Sequence, residues 1–211
     1  FNNLIDADRD ATRLALSGSA TFDNRHVGAD KTVTFADLAL TGSAAGNYRL
    51  AGAPVGTGGN SIRQLASVAW TGSATGNWSD AAQWAGGALP DGGNVAAVTI
   101  PSGVTVTHDS GVEGTTILNA LTSSGNLTMA AGTLTLNGTA STHGLTLDGG
   151  TLGGTGSLAV TDHFSRTGGA VGSTFTGLSI TQARGDLASG AWTVNGPVSL
   201  TASMTYRPGF T

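Results

Sequence analysis

The feature that most constrains the fold is an internal repeat within residues 127–160. When the sequence is displaced by eighteen positions, residues 127–134 (LTMAAGTL) align with residues 145–152 (LTLDGGTL), and their apolar, Thr and Gly positions coincide. A period of about twenty residues, with short apolar segments separated by Gly-rich corners, is typical of one coil of a parallel β-solenoid. The repeat therefore predicts a stacked β fold in which each coil buries its apolar side chains against its neighbours.

An apolar–polar–apolar triplet recurs from Val95 onward. Because side chains alternate across a strand, the outer two residues of a triplet face the core and the middle residue faces water. Gly, Ser and Asn-Gly pairs separate the triplets and supply sharp corners. The sequence thus predicts an all-β protein: a right-handed parallel β-helix (solenoid) over residues 95–211, preceded by a small antiparallel β module. The triplets include Val98-Thr99-Ile100, Val104-Thr105-Val106, Leu127-Thr128-Met129, Leu134-Thr135-Leu136, Leu145-Thr146-Leu147, Leu158-Ala159-Val160, Leu178-Ser179-Ile180 and Val198-Ser199-Leu200.

Composition excludes several classes of protein. Apolar residues make up 39% of the chain, which argues against a disordered polar chain. The nine Lys and Arg residues are scattered singly and the net charge is −4, so no basic stripe is available for nucleic acid. The absence of Cys excludes disulfides and thiolate metal sites. No apolar run is long enough to predict insertion into a membrane.

Residues 1–52 differ from the rest in having short alternating segments separated by Asp-Asn and Ala-Asp turns. Segments 13–22, 32–35, 38–40 and 48–50 predict about four strands of a small antiparallel unit. Residues 53–66, rich in Gly and Pro, predict a linker.

Two stretches of this first block carry a family resemblance. Residues 19–33 (SATFDNRHVGADKTV) and 38–50 (LALTGSAAGNYRL) resemble the second half of the YDG module, through Val-Gly-x-x-Lys and Gly-Asn-Tyr-x-Leu. Such modules recur in large bacterial adhesins of the filamentous haemagglutinin type, which are exported by two-partner secretion. The Tyr-Asp-Gly that names the module does not occur in this sequence. The resemblance implies a secreted protein on the surface of a Gram-negative bacterium, active in cell adhesion or biofilm formation, with an outer-membrane secretion partner for the full-length protein.

Residues 67–94 contain three tryptophans, Trp70, Trp78 and Trp84. Their pattern resembles segments that open the β-helical passenger regions of autotransporter-like and haemagglutinin-like proteins. Ser79 or Asp80 is expected to cap one helical turn. We interpret the segment as a cap over the open end of the solenoid core, since an uncovered coil would expose apolar side chains and unpaired strand edges. The alternative is a tryptophan platform that stacks on sugar rings.

The tripeptide Arg184-Gly185-Asp186 is a candidate receptor-binding site. It resembles the integrin-recognition sequence of host matrix proteins, and recognition would require its display on a protruding loop. The alternative is structural, because a Gly flanked by charged residues is also an ordinary solenoid corner.

Catalytic and metal-binding groups are not predicted. Polysaccharide lyases and hydrolases with a β-helix fold require carboxylates stacked on neighbouring coils. The spacings of Asp148, Asp162 and Asp186 do not match one coil length, so we expect no catalytic, cofactor or metal site and no enzymatic activity. The histidines occur singly, without zinc-binding spacing, and each is predicted to be a surface or corner residue. They are His26, His108, His143 and His163.

These observations predict a structural and adhesive segment of a large secreted bacterial surface adhesin, which acts as a rigid stalk. The alternatives are a carbohydrate-binding module for matrix or host glycans, a polysaccharide lyase or hydrolase, and a subunit of a self-assembling extracellular filament. The expected partners are a host receptor or an extracellular polysaccharide, and further copies of the chain joined end to end.

Overall fold

The structure, a computed structural model, describes residues 4–52, 59–110, 114–172, 177–180 and 198–200. Residues 198–200 are described by their backbone alone. The chain divides into two compact units, Phe1–Arg63 and Gln64–Thr211. We call them the amino-terminal unit and the solenoid. In the described residues the helices are 3₁₀ turns of three residues, and no helix is long and apolar enough to cross a membrane.

The amino-terminal unit is built on two antiparallel strands, β1 (Ala15–Phe22) and β2 (Val33–Thr41). Segments 32–35 and 38–40, predicted as separate strands, belong to the single strand β2, which continues through a left-handed residue, Asp37 (φ 53°). Segment 48–50, also predicted as a strand, is irregular and follows a 3₁₀ turn at Ala45–Asn47.

A buried carboxylate ties the first residues to this unit. Asp8 ends the 3₁₀ turn Asp6–Asp8 and accepts hydrogen bonds from the Tyr48 hydroxyl (2.9 Å) and from Arg13 Nε (2.9 Å). These two hydrogen bonds, that of Tyr48 being the stronger influence, lower the pKa of Asp8. The residues before β1 are therefore integrated with the Gly-Asn-Tyr-x-Leu element, which supplies Tyr48.

The solenoid consists of strands that pair in parallel with their counterparts in neighbouring coils. The strands are β3 (Leu65–Ala69), β4 (Thr75–Asn77), β5 (Val95–Ile100), β6 (Thr105–His108), β7 (Thr115–Leu118), β8 (Ala120–Met129), β9 (Thr133–Leu136), β10 (Thr139–Leu147), β11 (Thr151–Gly153), β12 (Ser157–Arg166), β13 (Ala170–Val171), β14 (Gly177–Ile180) and β15 (Val198–Leu200). The longer sheet has the order β3-β5-β8-β10-β12-β14-β15, with β4 and β6 beside it, and a second sheet has the order β7-β9-β11-β13. An all-β parallel solenoid after a small antiparallel module confirms the predicted fold class.

The strand register confirms the internal repeat. Leu127 of β8 pairs with Leu145 of β10, and Leu134 of β9 pairs with Leu152 of β11, both at the displacement of eighteen found in the sequence. The first coil is longer, since Val68 pairs with residue 98. The additional residues of this coil contain the tryptophan segment.

The core is a set of apolar columns that run along the solenoid axis. In β8 the side chains alternate between buried and exposed, and the buried ones align with buried residues of adjacent coils. Each buried Leu or Val stabilises the fold by about 1.5–3 kcal/mol relative to an exposed one. One column contains Val68, Val98, Leu121, Ala140, Leu158 and Leu178.

Glycine corners allow the coils to stack at close range. A Cβ atom at Gly149 would lie 2.1 Å from the carbonyl oxygen of Ala130, and one at Gly168 would lie 2.2 Å from that of Asp148. Both contacts are with backbone of the preceding coil, which cannot move aside. The lack of side chains at these glycines thus permits the close approach of neighbouring coils at the corners.

Candidate functional site

The tryptophan segment forms part of the first described coil of the solenoid. Parallel pairing begins here at β3 and β4, within the region expected to be a cap. Trp70, Trp78 and Trp84 are only 1–2% exposed. Trp84 packs edge to face against both others, with ring centroids 5.0 Å from Trp70 and 4.8 Å from Trp78. Such aromatic pairs contribute about 0.5–1.5 kcal/mol beyond their buried area.

Each indole N–H donates to a backbone carbonyl. Trp70 Nε1 bonds to Ser73 (2.9 Å), Trp78 Nε1 to Pro90 (2.7 Å) and Trp84 Nε1 to Trp78 (2.8 Å). The protein therefore buries the apolar faces of the three rings and supplies an acceptor for each indole N–H. Rings as buried as these present no free face to a sugar, so the geometry favours the structural interpretation of the segment over the stacking platform.

A short turn lies between Trp78 and Trp84 in this segment. Asp80 caps the 3₁₀ turn Ala81–Gln83 by accepting from the Ala82 backbone N–H (3.0 Å), which confirms the predicted turn and selects Asp80 over Ser79 as its capping residue. Gln83 Nε2 donates to Asp80 Oδ2 (2.9 Å), and Gln83 Oε1 accepts from the Ser73 N–H (2.8 Å). The hydrogen bonds from Gln83 and then Ala82 lower the pKa of Asp80.

Sequence reasoning missed the buried histidine of this region. His108 is 2% exposed, so the prediction that it is a surface or corner residue is wrong. Its ring lies 5.3 Å from that of Trp78. The alternation of β6 contained the signal, because Val104, Val106 and His108 are spaced two apart and share the inward face. Burial lowers the pKa of His108, although the nearby Asp109 and Asp91 carboxylates act in the opposite direction.

The described carboxylates of the solenoid at positions 109, 148 and 162 have separate partners. Asp109 accepts from the Ser79 N–H (3.2 Å) and the Ser79 hydroxyl (2.5 Å) of the preceding coil. Asp148 accepts from the Thr167 hydroxyl, and Asp162 lies 3.5 Å from His143 Nε2. Within the described ranges, no group of three or more His, Cys, Asp or Glu residues could hold a metal ion.

Two further regions carry groups that could take part in binding. Arg184, Gly185 and Asp186 lie outside the described residues, so their role in receptor binding stays a prediction. The amino-terminal unit has an open groove of about 500 Å³ between β2 and the segment that follows it. Its lining is mainly apolar, with Tyr48 and Arg49 as its larger polar side chains. The Tyr48 hydroxyl is engaged with Asp8.

The comparison with known families finds a similarity in the first region of the chain. Residues 1–55 match the YDG domain. The match extends beyond residues 19–50, which carry the resemblance in sequence, and includes Asp8 and Arg13, whose side chains are hydrogen-bonded to each other. No curated protein and no solved structure matches the chain. A YDG domain followed by a β-solenoid is compatible with an adhesive or structural role.

Proposed function

We propose that this chain is a rigid adhesive-stalk segment of a large secreted bacterial surface adhesin. In this role the solenoid holds binding regions of the full-length protein away from the cell surface. The observation that carries the proposal is the continuous parallel pairing from β3 to β15 around an apolar column.

This architecture suits a spacer for a physical reason. Backbone hydrogen bonds between coils run along the solenoid axis, and each coil extends the rod by about 4.8 Å. Bending the rod would lengthen many of these bonds together and open the buried columns. Thr128 and Thr146, which pair as outward residues of two central coils, are uncharged and only partly buried. They support a spacer better than a specific ligand site.

The YDG domain supports the adhesive part of the proposal. Modules of this type occur in adhesins of the filamentous haemagglutinin type, so we place the full-length protein on the surface of a Gram-negative bacterium. Export would then proceed by two-partner secretion, through an outer-membrane partner. The low charge content, 10% of residues, is consistent with an exposed surface rich in Thr, Ser and Asn.

A replacement experiment in the full-length adhesin tests the stalk role. Residues 64–211 are deleted, or replaced by an unrelated solenoid of equal length, and surface display is verified with antibody. We expect the deletion to reduce attachment to cells or to biofilm matrix and the unrelated solenoid to restore it, because length and stiffness are what the segment supplies. Failure of the unrelated solenoid, with normal display, would show that this segment itself recognises a ligand. A glycan array probed with the chain would then test the carbohydrate-binding alternative.

A further inference from the structure

His108 joins three successive coils of the solenoid. Its ring lies against Trp78 of the first coil, with ring centroids 5.3 Å apart. Nε2 lies 3.1 Å from the Thr116 hydroxyl of β7, and Nδ1 lies 3.0 Å from the Ala131 carbonyl oxygen, which follows β8. At 2% exposure the ring is out of reach of water while these coils stay together.

The contacts define how the neutral ring is held. A carbonyl oxygen only accepts, so Nδ1 carries a proton and donates to Ala131. Nε2 then accepts from the Thr116 hydroxyl. When Nε2 is also protonated it becomes a donor, and the Thr116 hydroxyl can turn to the Pro90 carbonyl oxygen, 3.3 Å away. Protonation therefore loses no hydrogen bond and allows one more, from Thr116 to Pro90, so its cost is that of a buried charge.

The charges around the ring do not remove that cost. Asp109, the next residue, and Asp91, from the segment that carries Pro90, both attract a protonated His108. Their carboxylates are directed to other partners, Asp109 to Ser79 and Asp91 to the Gly92 N–H. Burial outweighs both carboxylates, and the pKa of His108 is lowered.

Separation of the first coil would expose the charged ring to water while breaking the fewest strand pairings. Within the described solenoid, β3 pairs only with β5, and β4 only with β6, whereas β8 pairs with strands on both sides. Separation of the first coil moves Trp78 away and admits water to the ring. The contacts of His108 with Thr116 and Ala131 lie on the side that stays paired.

We propose that His108 is an acid-sensitive latch, and that protonation of its ring favours separation of the first coil, residues 65–94, from the rest of the solenoid. The ordinary histidine pKa is about 6.5. Because the pKa is lower in the closed state, the closed state is fully favoured above about pH 6.5 and loses stability as the pH falls below that value. The equilibrium constant for opening rises by at most tenfold per pH unit, the limit for one proton.

Tryptophan quenching provides the test. In a Trp192→Phe background, Trp70, Trp78 and Trp84 are the remaining tryptophans. Acrylamide quenching is measured from about pH 7.5 to about pH 5, on both sides of the ordinary histidine pKa. We expect quenching to rise in acid in this background, and to stay flat after His108→Gln, whose amide can bond to the same partners without titrating. His143→Gln, at a half-exposed site, is the matched control and should preserve the rise.

Three outcomes would overturn the latch: no rise in acid, an equal rise in His108→Gln, or loss of the rise in His143→Gln. If His108→Gln does not fold, the His108 ring is followed by NMR in the Trp192→Phe protein. Titration of the ring together with the quenching curve supports the latch. A ring that stays neutral while quenching rises rules it out.

Discussion

The two units of this chain use their strands in opposite ways. Along β8 of the solenoid, buried residues alternate strictly with outward-facing ones. In β1 of the amino-terminal unit, by contrast, every residue after Ala15 is exposed. A two-stranded ribbon is marginally stable by itself, because too little apolar surface is removed from water. In the solenoid, by contrast, each coil adds further buried side chains to the apolar columns.

Polar contacts take the place of a core in the amino-terminal unit. Asp8 is held by Tyr48 and Arg13, and the buried Lys31 Nζ donates to Asn24 Oδ1 (2.5 Å). One chain therefore combines a region stabilised by apolar stacking with a region in which directed hydrogen bonds are prominent. The two should therefore respond differently to truncation, to added volume and to acid.

Truncation of a leucine should show the largest difference. Leu145 is fully buried between Leu127 and Phe164, whereas Leu16 of β1 is 44% exposed. We expect Leu145→Ala to lower the free energy of unfolding by about 2–5 kcal/mol, as for other buried leucines, because it leaves a cavity. Leu16→Ala should cost clearly less.

Urea denaturation followed by circular dichroism measures both variants. Thr146→Ala, at the outward neighbour of Leu145, is the control and should change stability by no more than about 0.5 kcal/mol. A similar loss for Leu145→Ala and Leu16→Ala would contradict the distinction between the two units.

Added volume should have a smaller but still unequal effect. A methyl group at Gly149 would meet the Ala130 carbonyl oxygen of the preceding coil, whereas one at Gly46 of the amino-terminal unit meets nothing within 4 Å. We expect Gly149→Ala to destabilise the solenoid by about 1–3 kcal/mol, the usual cost of overpacking, and Gly46→Ala to have little effect. Thermal unfolding compares the two, and a Gly149→Ala protein as stable as Gly46→Ala would show that the coils can move apart.

The sequence allowed the solenoid to be predicted better than its details. The repeat at Leu127 and Leu145 defines the strand register of their two coils directly, because these coils place the same residue type at the same position. The burial of His108 was missed, since a polar residue in an inward position was interpreted by its type rather than by its alternation. In the amino-terminal unit, the contact of Asp8 with Tyr48 joins residues forty positions apart. No local pattern contains such a contact.

Acid should produce the smallest effect, and it begins at different groups in the two units. In the amino-terminal unit, the lowered pKa of Asp8 means that its contribution is present above the ordinary Asp pKa of about 3.9 and is lost as the pH falls through the folded value. Tyr48→Phe removes the hydroxyl that has the largest influence, so the pKa of Asp8 should rise toward its ordinary value. NMR titration of the carboxyl carbons measures this shift.

Asp10, whose pKa is lowered by Thr12, is the internal control and should titrate unchanged. If Asp8 titrates as before in Tyr48→Phe, then Arg13 alone holds the carboxylate, and the Gly-Asn-Tyr-x-Leu element does not stabilise the start of the chain through this hydrogen bond.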